Sequence, residues 1–518
     1  MIKQRFQKLL RKSERGQAII LVAFAIIGLV AMVGLVTDTG ILLIEYGKLK
    51  RGVDAAAVAA AQQYRASVTT QDLENAARNF LQLNQSTDLT SVAIHSCKFG
   101  DPAPPALCNP DPINQPNDNR KLVEVVASKT VTFGFLRVIG IETTTVTASA
   151  TGEAATIDLV LVIDTSGSMA YETVPGGLAN APGNDPSVCN LNNTCQPMKV
   201  VKDTALDFLE TLYISNDPYN SYDRVAIVAM THADDRNPYS VLALTSNKAA
   251  IVSAINGIRV FEPRDCDGTE TPGACLQYND ITGIFEGEQC EIYEIRRNSS
   301  DNNIKASADP SSCPSSNIGG ALGLASQAFI ADPVHTRLDA FWVVVSLLGG
   351  PANATDSSAL YPYGFCPPNT FLAPMQLPWC RDRHPTIRHS AGDSLVTYIN
   401  PETGVQDPHS PISLYDADDY ARDMADGLAT STSGEGVTIF TIGLGEAVKY
   451  TGSSDDYYPD GITKIPAAED LLGYIAECAG DDCGTTINHG QYFYAPTSTA
   501  LADIFDRIAQ NIATKISQ

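Results

Sequence analysis

Residues 18–36 hold nineteen consecutive positions without a charge, and Ile41-Leu42-Leu43-Ile44 follows after Thr37-Asp38-Thr39-Gly40. A helix needs about twenty apolar residues to cross a bilayer, so this run has the required length. Lys3, Arg5, Lys8, Arg11, Lys12 and Arg15 precede it with only Glu14 against them, a net +5. The whole chain of 518 residues carries −24, which leaves −29 for everything after residue 15. The positive-inside rule then places a basic tip, 1–15, in the cytoplasm and the acidic remainder outside the cytoplasmic (inner) membrane. A cleaved signal peptide is the other reading. Its apolar core would be about 7–15 residues ending at a small-x-small site, shorter than the run here. We therefore expect an uncleaved, single-pass anchor over 16–44.

The twelve cysteines all lie beyond that anchor, and none forms a C-x-x-C pair or a Cys/His cluster with zinc-site spacing. An even number on the oxidising side of a membrane reads as disulfides. Pairing sequential neighbours gives Cys97–Cys108, Cys189–Cys195, Cys266–Cys275, Cys290–Cys313, Cys366–Cys380 and Cys478–Cys483, one connectivity among several that spacing permits. The acidic balance makes binding to nucleic acid unexpected.

Hydrophobic periodicity divides the rest of the chain. The Ala-rich stretch 55–61 extends the anchor helix to about residue 66, and Thr69-Thr70 can cap a second helix over 72–83. Residues 98–120 have loop composition, and 121–151 alternate apolar and polar side chains as strands do. This helix-plus-β region, 45–150, has the element order of a pilin. From 156 the pattern becomes strands separated by helices. Residues 157–163 form an almost wholly apolar strand, as expected of a parallel strand covered on both faces. Further strands are predicted at 224–230, 241–244, 341–348, 437–443 and 491–494. Helices are predicted at 198–213, 247–258, 318–330, 468–476 and from 498 onward. The alternation predicts a doubly wound α/β domain over 151–518, with long disulfide-rich inserts near 260–313 and 350–435.

Asp164-Thr165-Ser166-Gly167-Ser168 follows the first strand of that domain directly. Ligands of open parallel sheets bind at the carboxyl ends of strands. One carboxylate and two hydroxyls in a tight turn present hard oxygens, a set suited to Mg²⁺ or Mn²⁺ with water completing the shell. The bland alternative is a Ser/Gly turn that only joins a strand to a helix.

With these residues the segment 156–518 resembles the von Willebrand factor A domain and its metal-ion-dependent adhesion site. Asp164, Ser166 and Ser168 match the D-x-S-x-S motif. Ser315-Ser316-Asn317-Ile318-Gly319-Gly320 is similar to the second metal loop, with Ser316 in the position of the family's Thr. The third loop of the family ends a strand with T-D-G. Here Val345-Ser346-Leu347-Leu348-Gly349-Gly350 stands in its place, so Gly349 replaces the Asp. Because that Asp often acts through water in the family, its replacement implies a weaker ion rather than none. Asp356 is the nearby carboxylate that could substitute. Arg15-Gly16-Gln17-Ala18, Asp38-Thr39-Gly40 and Leu49 to Ala61, around Asp54-Ala55-Ala56-Ala57, resemble the TadE/TadG-like segment of tight-adherence (Flp) pilus assembly proteins. A prepilin peptidase substrate would show Glu five residues after Gly16. Leu21 stands there, so pilin-type processing is not expected.

Seven scattered histidines, with no H-E-x-x-H, no G-x-S-x-G and no phosphate-binding G-x-x-x-x-G-K-[ST] loop, give no sign of an enzyme. The acidic segment 416–426 matches no EF-hand spacing and reads as a solvated face. The resemblances together imply a membrane-embedded, non-enzymatic adhesion or assembly protein of a Tad-like pilus system. A divalent ion on Asp164, Ser166, Ser168 and Ser316 would capture an acidic residue of a protein partner, among pilus or secretion components. The alternative is a metal-independent surface scaffold or sensor that uses the same domain for docking.

Overall fold

The apolar run and the Ala-rich stretch after it belong to one helix, α1 (Ile2–Gln62). The computed structural model describes residues 2–64, 68–83, 89–98, 101–111, 114, 119–170, 172–174, 177–179, 186–231, 238–261, 275–278, 285–289, 316–331, 336–352, 354–356, 388–391, 415, 417–430, 436–449 and 468–516. These fall into two units, Met1–Pro110 with Arg120–Ala154 and Asp111–Asn119 with Ala155–Gln518.

In the first unit α1 is packed mainly along its carboxyl-terminal third. Leu49, Val53, Ala56, Ala57, Ala60, Ala61 and Tyr64 recur at helical spacing and are buried, whereas residues 19–33 expose their apolar side chains. The helix is the one among the described residues long and apolar enough to cross a membrane. α2 (Thr70–Leu83) buries Leu73, Ala77 and Leu81. Its start is a reciprocal cap: the Asp72 carboxylate accepts from the Thr69 N–H at 2.8 Å, and Thr69 Oγ1 accepts from the Asp72 N–H at 3.3 Å. β1 (Leu89–Ser96), β2 (Lys121–Thr132) and β3 (Thr143–Ala154) form an antiparallel sheet in the order β1-β2-β3. The strand-like alternation expected over 121–151 is thus two strands and a turn, and β1 was not anticipated. Its sequence, Leu-Thr-Ser-Val-Ala-Ile-His-Ser, is too mixed to stand out alone.

The second unit is a doubly wound α/β layer structure. β4 (Ile157–Ile163) is buried along its whole length, as are β7 (Arg224–Ala229) and β12 (Thr438–Leu444). They combine with β8 (Tyr239–Thr245), β11 (Phe341–Leu348) and β13 (Tyr492–Ala495) in the order β13-β12-β11-β4-β7-β8. All neighbours are parallel except β7 and β8, so the sheet is mostly parallel, as expected. Because successive side chains point to opposite faces, Leu159, Leu161 and Ile163 of β4 join one core and Val160 and Val162 the other. α4 (Met198–Leu209), α5 (Lys248–Gly257) and α9 (Leu501–Ile516) cover the first face. α6 (Ile318–Ile330), α7 (Ala417–Ala429) and α8 (Ala468–Glu477) cover the second. Each fully buried Val, Leu or Ile contributes about 1.5–3 kcal/mol, so these two cores are the main source of stability.

The smaller elements are α3 (Pro186–Asn192), the hairpin of β5 (Glu172–Val174) with β6 (Gly177–Ala179), and that of β9 (Cys275–Tyr278) with β10 (Phe285–Gln289). Disulfides join Cys97–Cys108, Cys189–Cys195 and Cys478–Cys483. The pairings expected for 266–275, 290–313 and 366–380, and most of both inserts, lie outside the described residues.

One expectation fails. The acidic segment 416–426 is not a solvated face: it is most of α7, with Asp418 and Asp419 buried in its first turn. Ala417, Ala421, Ala425 and Leu428 supply its apolar side. Alanines among so many aspartates give little hydropathy contrast, which is why composition pointed outward.

At the amino ends of the central strands sits a buried ionic cluster. Arg224 Nε donates to Asp158 Oδ1 at 2.9 Å, Arg337 pairs with the same carboxylate, and Arg337 also donates to the Tyr222 carbonyl at 2.8 Å. Burial alone would raise the Asp158 pKa, but the two guanidiniums outweigh it and hold the carboxyl below its usual range. A carboxyl with a lowered folded pKa stabilises the fold above its unfolded pKa of about 3.9 and loses that contribution as pH falls further. Arg224→Met should cost about 3–5 kcal/mol, the usual penalty for breaking a buried pair. Denaturant unfolding at neutral pH measures this. A loss below about 1 kcal/mol, the worth of an exposed pair, would show the cluster to be dispensable.

Candidate metal site at the strand ends

The six sheet strands, taken in chain order, lie third-second-first-fourth-fifth-sixth across the sheet. The order reverses between β4 and β11, and a crevice at their carboxyl ends is the position where such sheets bind ligands. Asp164 is the residue after β4, and Gly349 the residue after β11.

The loop leaving β4 is pinned on three sides. The Asp164 N–H donates to the Leu347 carbonyl at 2.9 Å, extending the parallel ladder by one rung. Thr165 Oγ1 donates to the Thr231 carbonyl at 2.6 Å and accepts from the Thr231 N–H at 2.9 Å. The Phe261 N–H donates to the Thr165 carbonyl at 2.7 Å. Held this way, the fully buried Asp164 carboxylate bridges the two strand ends. Oδ1 accepts from the Ser166 N–H at 2.8 Å, and Oδ2 accepts from the Gly349 N–H at 2.8 Å. Burial pushes the Asp164 pKa up, against the opposing hydrogen bonds from the Ser166 and Gly349 amides and the Ser166 hydroxyl. The carboxylate is thus held in place by dipoles that do not fully compensate its charge.

The other sequence-predicted residues are placed as follows. Ser166 is buried, and its amide and hydroxyl both serve Asp164. Ser168 lies in the 3-10 turn Gly167–Ala170, with its side chain outside the described part of the structure. Ser316 is buried just before Asn317, which caps α6 by accepting from the Gly320 N–H at 2.9 Å. Asn317 Nδ2 in turn donates to Asp356 Oδ1 at 2.8 Å, and the Tyr420 hydroxyl donates to Asp356 Oδ2 at 2.8 Å. The Tyr420 phenol is raised by burial and by this carboxylate.

Sequence reasoning noted Asp356 but missed Asn317 and Tyr420 as its holders. The signal was Gly319-Gly320 directly after Asn317. A Cβ on Gly320 would sit 2.3 Å from Asp356 Oδ1, and one on Gly319 would sit 2.4 Å from Tyr420 Cδ1. Only glycine leaves room for the carboxylate and the ring over the start of α6.

By chemical type, these donors suit a hard divalent ion. They are all oxygens: one buried carboxylate in want of positive charge, serine hydroxyls, and an exposed second carboxylate at Asp356 beside the second loop. Among the described residues no group of three or more His, Cys, Asp or Glu side chains is placed to hold a metal ion, so a site here would rest on one carboxylate and hydroxyls. Asp164, Ser166, Ser168 and Ser316 would hold the ion. It would supply Lewis acidity toward an incoming carboxylate.

No protein-family profile matches this chain, and no curated protein is detectably similar to it. Among solved structures it is similar to the pilus adhesin SpaC of Lactobacillus rhamnosus GG, at 14% identity and a TM-score of 0.33 over 76% of this chain. The chain matches only 33% of the length of SpaC. It is also similar to the von Willebrand factor domain of the type V pili tip protein Mfa5 from Porphyromonas gingivalis, at 15% identity and a TM-score of 0.34. That match covers 70% of this chain and 97% of the other. A third is proximal thread matrix protein 1 of the mussel byssus with a zinc-occupied metal-ion-dependent adhesion site. Identity is 12% and the TM-score 0.27, over 70% of this chain and 46% of the other. At such scores these are loose likenesses, and the fold described above rests on the strand order itself.

If Asp164 carries an ion, adding Mg²⁺ or Mn²⁺ at a hundredfold above its dissociation constant should stabilise the protein by about 2.7 kcal/mol. The thermal midpoint should rise accordingly, and Asp164→Ala should show no rise. Because burial raises the Asp164 pKa, the metal-free fold bears a cost above the unfolded pKa of about 3.9 that fades on acidification. The metal-induced rise should shrink over the same interval, as protons displace the ion. A rise of equal size in Asp164→Ala would place the metal elsewhere.

Proposed function

We propose that the chain is a membrane-anchored, non-enzymatic adhesion or assembly protein of the TadG-like kind. Its von Willebrand A-type domain would grip an acidic side chain of a protein partner through Mg²⁺ or Mn²⁺. The observation that carries this reading is the Asp164 carboxylate, fully buried at the crevice between β4 and β11 and fixed by the amides of Ser166 and Gly349. An ion held mainly by one carboxylate and hydroxyls keeps positive charge to spare, so a carboxylate from outside can complete its shell. The exposed apolar stretch of α1, behind six basic residues, supports a single span of the cytoplasmic membrane with the basic tip inside. Pilus or secretion components fit as partners, since an anchor and a projecting domain suit surface assembly.

Gly349 favours a second reading, a metal-independent docking scaffold or sensor. This glycine has no side chain to offer where the resemblance implies a further carboxylate. Calorimetry separates the two. Full-length protein in nanodiscs should bind Mn²⁺ or Mg²⁺, Asp164→Ala should not, and chelation or the same substitution should reduce adhesion of producing cells at least tenfold. A folded parent that takes up no ion, with adhesion indifferent to chelation, would retire the metal-dependent reading in favour of the scaffold.

A further inference from the structure

The turn joining β2 to β3 has an unusual composition for a hairpin tip. Tips in water are built from Gly, Asn, Asp and Ser. Here the chain reads Phe133-Gly134-Phe135-Leu136-Arg137-Val138-Ile139-Gly140-Ile141, with one charge. Val138 is 86% exposed, Ile139 71%, Ile141 48% and Phe135 47%. Four large apolar side chains in one short turn form a patch that water would penalise.

Most of the amides of this tip find partners within the unit. Its 3-10 turn, Leu136–Ile139, starts on the Asp38 carboxylate of α1. Asp38 is fully buried: Oδ1 accepts from the Gly134 N–H at 2.8 Å, and Oδ2 from the Phe135 and Leu136 N–H groups at 2.9 and 2.7 Å. These are the amides that the start of a helical turn leaves without partners. At the other end the Gly140 N–H donates to the Arg137 carbonyl and the Ile141 N–H to the Leu136 carbonyl, both at 3.1 Å. Phe135 packs against Gly34 of α1, where a Cβ would lie 2.7 Å from the Phe135 Cβ. Apolar side chains outward and backbone groups paired inward are what a segment in contact with lipid requires.

Its position along α1 identifies the occupant. At 1.5 Å per residue, the uncharged run 18–36 spans about 28 Å, close to the hydrocarbon thickness of a bilayer. Gly34 and Asp38 lie at its outer end, and Val33, Leu35 and Val36 around them are exposed as well. The tip's patch is therefore continuous with the exposed surface of the span. Arg137, exposed in the middle of the tip, can direct its guanidinium to lipid phosphates while its stem stays apolar.

We propose that the hairpin tip 135–141 inserts into the outer face of the bilayer beside α1, latched there by Asp38, so that this unit enters the membrane at two points. The inference rests on α1 being a membrane span. Its test uses full-length protein in phosphatidylcholine vesicles with or without brominated acyl chains, which quench tryptophan. Val138→Trp is the probe, Val30→Trp reports the span, and Leu107→Trp, exposed in the same unit, reports water. Signals are read as differences from the parent, which has two tryptophans of its own.

Val138→Trp should lose most of its emission to bromine, as Val30→Trp does, while Leu107→Trp keeps its own. Adding Asp38→Ala should weaken quenching at 138 and leave it unchanged at 30. Quenching at 30 without quenching at 138 overturns the proposal and leaves the span standing. No quenching at either position overturns the span and the proposal with it. A blue-shifted Val138→Trp that bromine does not reach, and that changes with the protein-to-lipid ratio, assigns the patch to a second copy of the chain and also overturns the proposal.

Discussion

The parallel pairing of β4 with β11 is the constraint on which the larger unit depends. These strands are separated by about the length of a small domain in sequence, yet they lie side by side at the point where the strand order reverses. Their pairing brings Asp164 and Gly349 to the same crevice, closed by a hydrogen bond from the Gly349 amide to the Asp164 carboxylate. The same pairing sets Val343, Val345 and Leu347 beside Leu159, Leu161 and Ile163 in one core, and Val344 beside Val160 and Val162 in the other. A sheet covered on both faces offers ligands only its strand ends, so chemistry gathers there. Buried charge is treated differently at the two ends of β4. Asp158 is matched by two arginines, whereas Asp164 is held by two amides and the Ser166 hydroxyl. The first arrangement pairs opposite charges; the second relies on dipoles.

The smaller unit shows a related contrast along α1. α1 packs through Leu49 and Val53 and the small residues Ala56, Ala57, Ala60 and Ala61, and exposes large aliphatic side chains along its apolar run. Alanine permits close approach between helix and sheet, while Ile, Leu and Val suit lipid. Asp38 lies between these regimes, and its carboxylate is accounted for by three backbone amides. A lone acid at the end of an apolar run would be costly without such partners.

Much of this was legible in sequence because the signals were strong and local. The largely apolar strands at 157–163 and 341–348, the helices between them and the apolar run 18–36 all appear near their expected bounds. The D-x-S-x-S turn follows β4 as read. What escaped was weak or long-range. Helix α7 was hidden by alternating aspartate and alanine, whose apolar side becomes visible only once a core exists to receive it. The tie from Asn317 through Asp356 to Tyr420 joins three segments far apart in the chain. No periodicity announces such a contact, although the paired glycines after Asn317 marked where something would press close.

The sequence by itself determined the kind of chain this is: an apolar helix behind a basic tip, an alternating strand-and-helix body, and a carboxylate and two hydroxyls after the first strand of that body. Those properties follow from local spacing, which hydropathy and residue chemistry report directly. Tertiary structure alone decided the strand order, the facing of Asp164 and Gly349, and the seating of the hairpin tip on Asp38. Each depends on which distant segments meet, and burial gives a carboxylate its character only after they have met.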